Sequence, residues 1–134
     1  MKASAMNAPD PLSDLDAIVL RGRTAQRRYA AEGSQTRYDR AAQAVGWAIM
    51  EPARNRELAE LAVQTTGLGN VADKITKNHR KTLGLLRDIQ GVKTFGVIKE
   101  DTATGITEIA RPMGVIGAIV PSTTPAATPA NTII

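Results

Sequence analysis

The chain has 134 residues, of which 43% are hydrophobic and 22% charged, a composition that excludes a wholly disordered chain. No apolar run approaches the roughly 18 residues that a membrane-spanning helix needs, and residues 1–10 lack the apolar core of a secretory signal. The sequence contains no cysteine, so it offers no disulfide, no thiolate metal site and no cysteine nucleophile. These features together predict a cytoplasmic protein with one modest core.

The formal net charge of +4 has two interpretations. A cluster of arginines in the first third of the chain could bind nucleic acid or an acidic partner, or it could form a solvated helix face. Aromatic residues make up only 3% of the chain, so stacking platforms for bases are scarce. The solvated face is therefore the favoured interpretation. The arginines concerned are Arg21, Arg23, Arg27, Arg28, Arg37 and Arg40.

Residues 13–91 have helical periodicity, and residues 1–12 are predicted to be a disordered tail. Ser13 is the expected N-cap of a first helix, which Gly33 interrupts. The second helix is predicted by an apolar stripe at i, i+3, i+4 and i+7 spacing. That stripe comprises Tyr38, Ala41, Ala42, Val45, Ala48 and Ile49.

Two further helices follow in the same segment. Pro52 suits the first turn of a third helix, and Gly67 is a natural stop for it. Asn70 is the expected cap of a fourth helix that closes at Gly91. Their apolar positions are Leu58, Leu61, Ala62 and Thr65 in the third helix, and Val71, Ile75, Leu85, Leu86 and Ile89 in the fourth.

After Gly91 the pattern changes to short apolar runs. Residues 94–99 and 105–110 flank the turn-forming sequence DTATG, so residues 92–111 predict an antiparallel hairpin. Residues 113–120 are nearly all apolar, as in a strand that is covered on both faces of a parallel sheet. Such a strand needs parallel neighbours and crossover helices. The remaining 14 residues cannot supply them, so the chain is expected to be truncated.

The stretch from Thr66 to Asn131 carries a family resemblance. TGLGNVADKITKNHRKT, followed by KTFGVIKEDTATGITEIARPMGVIGAIVPSTTPAATPAN, resembles the CoA-acylating aldehyde dehydrogenases. The group includes the aldehyde dehydrogenase half of bifunctional acetaldehyde/alcohol dehydrogenases. The arginine-rich start and WAIMEPARNRELAELAV are most similar to the acylating sulfoacetaldehyde dehydrogenases. It is the succession of these segments, rather than any one of them, that carries the resemblance.

The resemblance implies a fold and an activity. It implies an α/β protein, a truncated aldehyde dehydrogenase fold with N-terminal helices, a hairpin arm that joins subunits of a homo-oligomer, and the first strand of the NAD(P)-binding domain within residues 112–134. In such enzymes a cysteine thiolate attacks a small-molecule aldehyde, hydride passes to NAD or NADP, and the acyl group is transferred to coenzyme A. The resemblance implies no membrane or nucleic-acid partner. A chain without cysteine is expected to be inactive alone.

The predicted cofactor-binding residues follow the apolar run. Ligands in open α/β sheets bind beyond the carboxyl ends of the strands, where Val120, Pro121, Ser122, Thr123 and Thr124 are expected to lie. The family reads Pro-Thr-Thr-Asn-Pro here. Ser122 therefore keeps a hydroxyl, Thr123 matches, and Thr124 replaces the asparagine, so an oxyanion-binding role does not transfer to Thr124. A plain proline-rich connection is the alternative, and no G-x-G-x-x-G sequence follows.

Other conspicuous residues have structural interpretations. His79 is the only histidine, and without cysteines it cannot build a metal site, so a surface helix position is expected. Gly67–Asn70 superficially resembles a phosphate loop, but a helix stop followed by a cap explains it better. Trp47 is expected to be a packing residue.

Two classes of function remain open. The leading hypothesis is a piece of an acylating aldehyde dehydrogenase. The alternative is a free-standing, non-enzymatic basic helical module that binds an acidic partner or nucleic acid. The apolar run favours the enzyme, because a binding module gains nothing from a strand with two unpaired edges.

Overall fold

A computed structural model of the chain describes residues 11–134, and all of their side chains except those of Pro11 and Ser13. The described residues form two compact units. The first contains the chain up to Gly33 together with Pro112–Ile116, and the second contains Ser34–Arg111 together with Gly117–Ile134. The elements are α1 (Pro11–Ala31), α2 (Gln35–Met50), α3 (Pro52–Thr66), α4 (Val71–Asp88), β1 (Gly96–Asp101), β2 (Ile106–Ala110) and α5 (Ala127–Ile133).

The four predicted helices form, with most of the expected boundaries. Gly67 ends α3 in the left-handed region at a φ of 66°, as predicted. The Asn70 side chain accepts a hydrogen bond from the backbone N–H of Asp73 at 2.9 Å, so it caps α4 as predicted. The prediction that Ser13 caps the first helix is wrong, because α1 already includes Pro11, which suits a first helical turn. Residues 1–10 of the predicted tail lie outside the described residues.

The first unit consists of α1 and the short segment Pro112–Ile116. Val115 packs closely against α1 at Gly22, which has no side chain. A Cβ at Gly22 would lie 3.2 Å from Cγ1 of Val115. The four arginines of the predicted basic cluster that lie on α1 are exposed, as are Arg37 and Arg40 on α2, which fits solvated helix faces.

The second unit is built around α4, which contacts α2, α3 and α5. Its buried apolar residues are small, so the neighbouring backbones approach α4 closely. The buried apolar side chains are Ala59 and Ala62 of α3, and Ala126, Ala127 and Ala130 around the start of α5. Gly46 supplies the close contact from α2, because a Cβ there would lie only 2.5 Å from Cδ1 of Leu86.

The buried face of α4 is polar. Lys74, Asn78 and Thr82, which we call the polar row, repeat every four residues and are all buried. The Asn78 side chain donates to Oδ1 of Asn55 at 3.0 Å, and the Asn55 side chain donates in turn to the Ile75 carbonyl at 3.0 Å. This amide pair links α3 to α4 in the absence of large buried apolar side chains.

Two predictions about packing are wrong. On α3 the buried face passes through Asn55, Ala59 and Ala62, so Ala62 of the predicted stripe is confirmed as buried, whereas Leu61 of that stripe is 52% exposed. Trp47, expected to pack, is 57% exposed. In both cases the small residues face the neighbouring helix, because only small side chains allow the short interhelical distances. The larger apolar side chains are exposed on the surface.

The predicted hairpin is confirmed. β1 and β2 pair antiparallel from Gly96 opposite Ala110 to Asp101 opposite Ile106, with one irregularity between Val97 and Lys99. The Asp101 carboxylate accepts hydrogen bonds from Thr104 and Ala103 in the turn. The hydrogen bonds from Thr104, with a smaller contribution from the Ala103 N–H, lower the pKa of Asp101.

The root of the hairpin is attached to α2. The Thr94 N–H donates to Oε1 of Gln35 at 2.8 Å, and Nε2 of the same glutamine donates to the Val92 carbonyl at 3.2 Å. The rings of Tyr38 and Phe95 pack edge to face with centroids 5.7 Å apart. In the second unit no described helix backbone comes close to either strand, so the contacts that attach the hairpin to the helices lie at its root.

The predicted strand at residues 113–120 does not form. This segment has no regular secondary structure, and all of its residues are exposed. The only described strands pair with each other, so the segment has no neighbour with which to share strand hydrogen bonds. The first strand expected from the resemblance is therefore absent, and the observed architecture is helical with a two-stranded antiparallel sheet. The proline- and threonine-rich sequence from Pro121 to Pro129 predicts a loop, but its end forms the start of α5, which has Pro129 in its first turn.

The Asn55–Asn78 pair should be energetically coupled. Replacing either residue by alanine leaves the partner amide buried without its bond, so we expect each single variant to lose about 1–3 kcal/mol of unfolding free energy. The double variant should lose clearly less than the sum of the two, because no orphaned amide remains. Urea unfolding measures all three. Thr82→Val is the matched control, since no described residue bonds the Thr82 hydroxyl and its removal should not destabilise; strictly additive losses would contradict the coupling.

Glu51 makes the stability of α3 pH dependent. The backbone N–H of Arg54 (2.9 Å), and then that of Ala53 (3.1 Å), donates to its carboxylate and lowers its pKa. Since the folded pKa is below the unfolded one, this stabilisation is complete above the unfolded pKa. It is lost as the pH falls through the folded value.

We therefore expect Glu51→Gln to lose less stability than the wild type when the pH is lowered. Thermal unfolding between neutral and strongly acidic pH measures this loss. Glu57→Gln, an exposed change on the same helix, should retain the wild-type profile. Parallel profiles for wild type and Glu51→Gln would refute the assignment.

The exposed apolar segment should cause self-association. Met113, Ile116 and Ile119 are 91%, 62% and 98% exposed, and apolar side chains collected in one unpaired segment favour association. We expect Ile116→Lys with Ile119→Lys to shift the chain toward monomer in sedimentation velocity at increasing concentration. Leu61→Lys, at an exposed position of α3, should leave the association unchanged; an equal effect of both changes would show that the segment is not the contact.

Candidate functional site

The predicted cofactor residues form a turn between the exposed segment and α5. Val120 is 41% exposed, Pro121, Ser122 and Thr123 are exposed, and Thr124 is half-buried. The Thr124 N–H donates to the Pro121 carbonyl at 3.2 Å, which closes the turn. We call residues 120–124 the hydroxyl loop. All five predicted residues therefore lie together, although no strand precedes them.

The end of the hydroxyl loop is fastened to α5. The hydroxyls of Thr124 and Thr128 are 2.7 Å apart, and the Thr128 N–H donates to the Thr124 carbonyl at 3.2 Å. The Thr124 hydroxyl is therefore engaged within the chain.

The middle of the hydroxyl loop is held by Lys74 of α4. Its Nζ donates to the Thr123 carbonyl at 3.3 Å, and the residue is only 7% exposed. No carboxylate of the described residues lies within 4.0 Å of this ammonium, so its partner in the second unit is the dipole of the Thr123 carbonyl. A buried cation thus supports the backbone from the side facing the helices.

The opposite side of the hydroxyl loop is open. The side chains of Ser122 and Thr123 are exposed beside a backbone that is held at Thr123 and Thr124. Hydroxyls can donate and accept, and so can contact the ribose hydroxyls or phosphate oxygens of a dinucleotide. These residues fit such a group through hydroxyls and backbone, without a glycine-rich phosphate loop.

Two surface grooves flank α4. One, of about 700 Å³, lies between α4 and α5 and is lined mainly by charged side chains: Asp73, Thr76, Lys77, Arg80, Lys81, Gly84, Leu85, Asp88 and Asn131. The other, of about 400 Å³, runs between α3 and α4 and includes His79. His79 is exposed, as the sequence predicts for a surface helix position. Neither groove contains a residue of the hydroxyl loop.

Residues 11–134 show neither a metal-binding cluster nor a membrane-spanning helix. No three His, Cys, Asp or Glu side chains in this part of the chain are grouped so that they could hold a metal ion. Its helices also include none that is long and apolar enough to cross a bilayer.

Sequence reasoning missed Lys74, Asn55 and Asn78 as supports of the site. One signal was present, because Lys74, Asn78 and Thr82 repeat every four residues and therefore share one face of a helix. Polar side chains at such spacing usually mark a solvated face. Only the packing shows that this face is buried.

Several known proteins are similar in sequence to this chain. The chain matches no protein-family model. It is 67% identical, over 118 residues, to an acylating sulfoacetaldehyde dehydrogenase of Cupriavidus necator, a match that covers 88% of this chain and 24% of the relative. It is 44% identical over 95 residues to the protein of the same name from Bilophila wadsworthia, covering 71% of this chain and 20% of that protein.

A more distant relative has the second name that the resemblance suggested. A bifunctional aldehyde-alcohol dehydrogenase of Escherichia coli is 37% identical over 117 residues, which is 87% of this chain and 13% of the relative. The chain thus spans about a quarter, or less, of the length of the curated relatives that it matches. These matches confirm the resemblance: over nearly all of its length, the chain is related to the acylating aldehyde dehydrogenases.

Proposed function

We propose that this chain is part of an NAD(P)-dependent aldehyde dehydrogenase that oxidises an aldehyde to an acyl-CoA, with sulfoacetaldehyde as the aldehyde and sulfoacetyl-CoA as the product. The observation that carries the proposal is the 67% identity, over 88% of the chain, to an acylating sulfoacetaldehyde dehydrogenase. A second protein of that name supports the same substrate. The alternative of a free-standing basic module has no comparable support.

The contribution of this chain to the reaction is the hydroxyl loop. When bound, the nicotinamide cofactor accepts the hydride. Ser122 and Thr123 offer exposed hydroxyls for its polar groups, and the backbone between Pro121 and Thr124 is held by the turn hydrogen bond and by Lys74. A binding surface that is held before the ligand arrives loses less entropy on binding.

The nucleophile must come from outside these 134 residues. Transfer of an acyl group to coenzyme A through a thioester requires a thiolate, and the chain contains no cysteine. The oxidation and acyl transfer are therefore proposed for a protein that contains this segment, and the chain by itself is proposed to be inactive.

The hairpin is proposed to join subunits of a homo-oligomer. It contacts no helix of its own unit, and Val97, Ile106 and Ile109 on its strands are 45%, 58% and 48% exposed. Exposed apolar side chains on an arm that is held only at its root suit contact with another subunit.

We expect the 134-residue chain to bind NAD⁺ weakly at the hydroxyl loop and to produce no NADH. Titration with NAD⁺, followed by nuclear magnetic resonance, should shift the amide signals of residues 120–124. Thr123→Val should reduce these shifts, because it removes an exposed hydroxyl while keeping the branched shape. Thr36→Val, at an exposed position of α2, is the matched control.

Two outcomes would contradict the proposal. NADH production from sulfoacetaldehyde and coenzyme A by the pure chain would show that a nucleophile other than cysteine is used. Shifts that spread over the charged groove between α4 and α5, with none in residues 120–124, would place the cofactor elsewhere.

A further inference from the structure

The ammonium of Lys74 is an unusual group to bury. The residue is only 7% exposed, yet no carboxylate of the second unit pairs with it. Burying a charge is costly unless it gains compensating interactions, and removing a lysine from water without an acidic partner is rarely tolerated in a packed interior. Its one hydrogen bond to a described residue, at 3.3 Å, is to the carbonyl of Thr123. The lysine is thus directed at the middle of the hydroxyl loop.

The position of this lysine is set by the rest of the polar row. One turn further along α4, Asn78 is bonded to Asn55, which also bonds the Ile75 carbonyl. These bonds fix the rotation of α4 against α3. Because Lys74 lies four residues before Asn78 on the same face, the same bonds direct it toward the hydroxyl loop.

The Thr123 carbonyl in turn belongs to the backbone that presents the exposed hydroxyls. It lies between the side chain of Thr123 and the N–H of Thr124, which closes the turn onto Pro121. A hydrogen bond from a charged donor is about twice as strong as one between neutral groups. The lysine therefore restrains the peptide whose orientation decides where the Thr123 hydroxyl points.

We propose that Lys74 is a positioning residue, which holds the hydroxyl loop in its binding conformation from the buried side through the Thr123 carbonyl. This inference rests on the proposed function for the meaning of the loop, but the contact itself is independent of any ligand. The lysine does not touch the cofactor in this assignment. Its role requires both a positive charge and an N–H donor.

Three variants of the 134-residue chain test the proposal. Lys74→Met keeps the length of the side chain but removes the charge and the donors, and Lys74→Arg keeps both. Lys77→Met, at an exposed position of the same helix, is the matched control. Replacing a buried charge by an apolar side chain of similar size is often neutral or stabilising for the fold, so Lys74→Met is expected to remain folded by circular dichroism.

Amide hydrogen exchange without ligand is the primary measurement. The amides of Thr124 and Thr128 report on the hydroxyl loop through their bonds to Pro121 and Thr124, and the amide of Ile89 reports on the end of α4. In Lys74→Met we expect exchange at Thr124 and Thr128 to become about tenfold faster, with Ile89 unchanged. Lys74→Arg should restore slow exchange, and Lys77→Met should behave as wild type.

Several outcomes would overturn the proposal. Unchanged exchange at Thr124 in Lys74→Met would show that the bond does not restrain the loop. An equal increase at Ile89, or a variant that does not fold, would show that Lys74 serves the packing of α4 in general. Failure of Lys74→Arg to restore slow exchange would exclude the charged donor as the cause.

Titration with NAD⁺ separates this inference from the proposed function. If both hold, Lys74→Met should weaken NAD⁺ binding several-fold and Lys74→Arg should recover it. If wild type shows no NAD⁺ binding at residues 120–124, the proposed function fails. The exchange result then still decides whether Lys74 positions the loop.

Discussion

The close packing of small residues around α4 is the constraint on which the second unit depends. Alanines on α3 and at the start of α5, together with Gly46 of α2, bring three helices close to one central helix. Burial of apolar surface contributes about 25 cal/mol per Å² to stability. An alanine side chain has little such surface, so these contacts alone stabilise the unit modestly. Their main effect is geometric, because they bring the polar row of α4 within hydrogen-bonding distance of its neighbours.

Short interhelical distances explain why a polar face can be buried here. Asn55 and Asn78 satisfy each other and a backbone carbonyl, which offsets the cost of removing two amides from water. Thr82 is the exception, since its hydroxyl is buried without a bond to any residue in the described part of the chain. Hydrogen bonds have preferred directions, so they define the rotation of α4 more narrowly than apolar contacts of equal area would.

The same geometry reaches the hydroxyl loop. Lys74 occupies the end of the polar row, and its bond to the Thr123 carbonyl extends the ordered interior to a segment whose outer side is open. A restrained inner side with an exposed outer side suits the proposed binding role, since a ligand would meet a backbone that is already held. The hairpin is attached in a different way. Gln35 and the Tyr38–Phe95 contact hold its root, and the backbones of its strands lie away from the helices.

The elements whose signals are local could be predicted from the amino-acid sequence. The capping side chain of Asn70, the left-handed Gly67 and the turn after Asp101 depend on residues within a few positions, so the helices and the hairpin were predictable. The family resemblance was equally readable, because it rests on the order of whole segments. The five residues proposed to contact the cofactor are consecutive in sequence, so their position in one loop was predictable.

Which helix faces are buried, and whether an apolar run becomes a strand, depends on contacts between segments that are distant in the chain. Residues 113–120 have the composition of a buried strand, yet a strand exists only where another strand shares its hydrogen bonds, and no described strand does so here. Trp47 and Leu61 were expected inside by their hydrophobicity, but small residues occupy the contacts because they alone permit the close approach of the helices. Lys74 and Asn78 have the character of surface residues in sequence; they are buried because partners distant in the chain, Thr123 and Asn55, satisfy them.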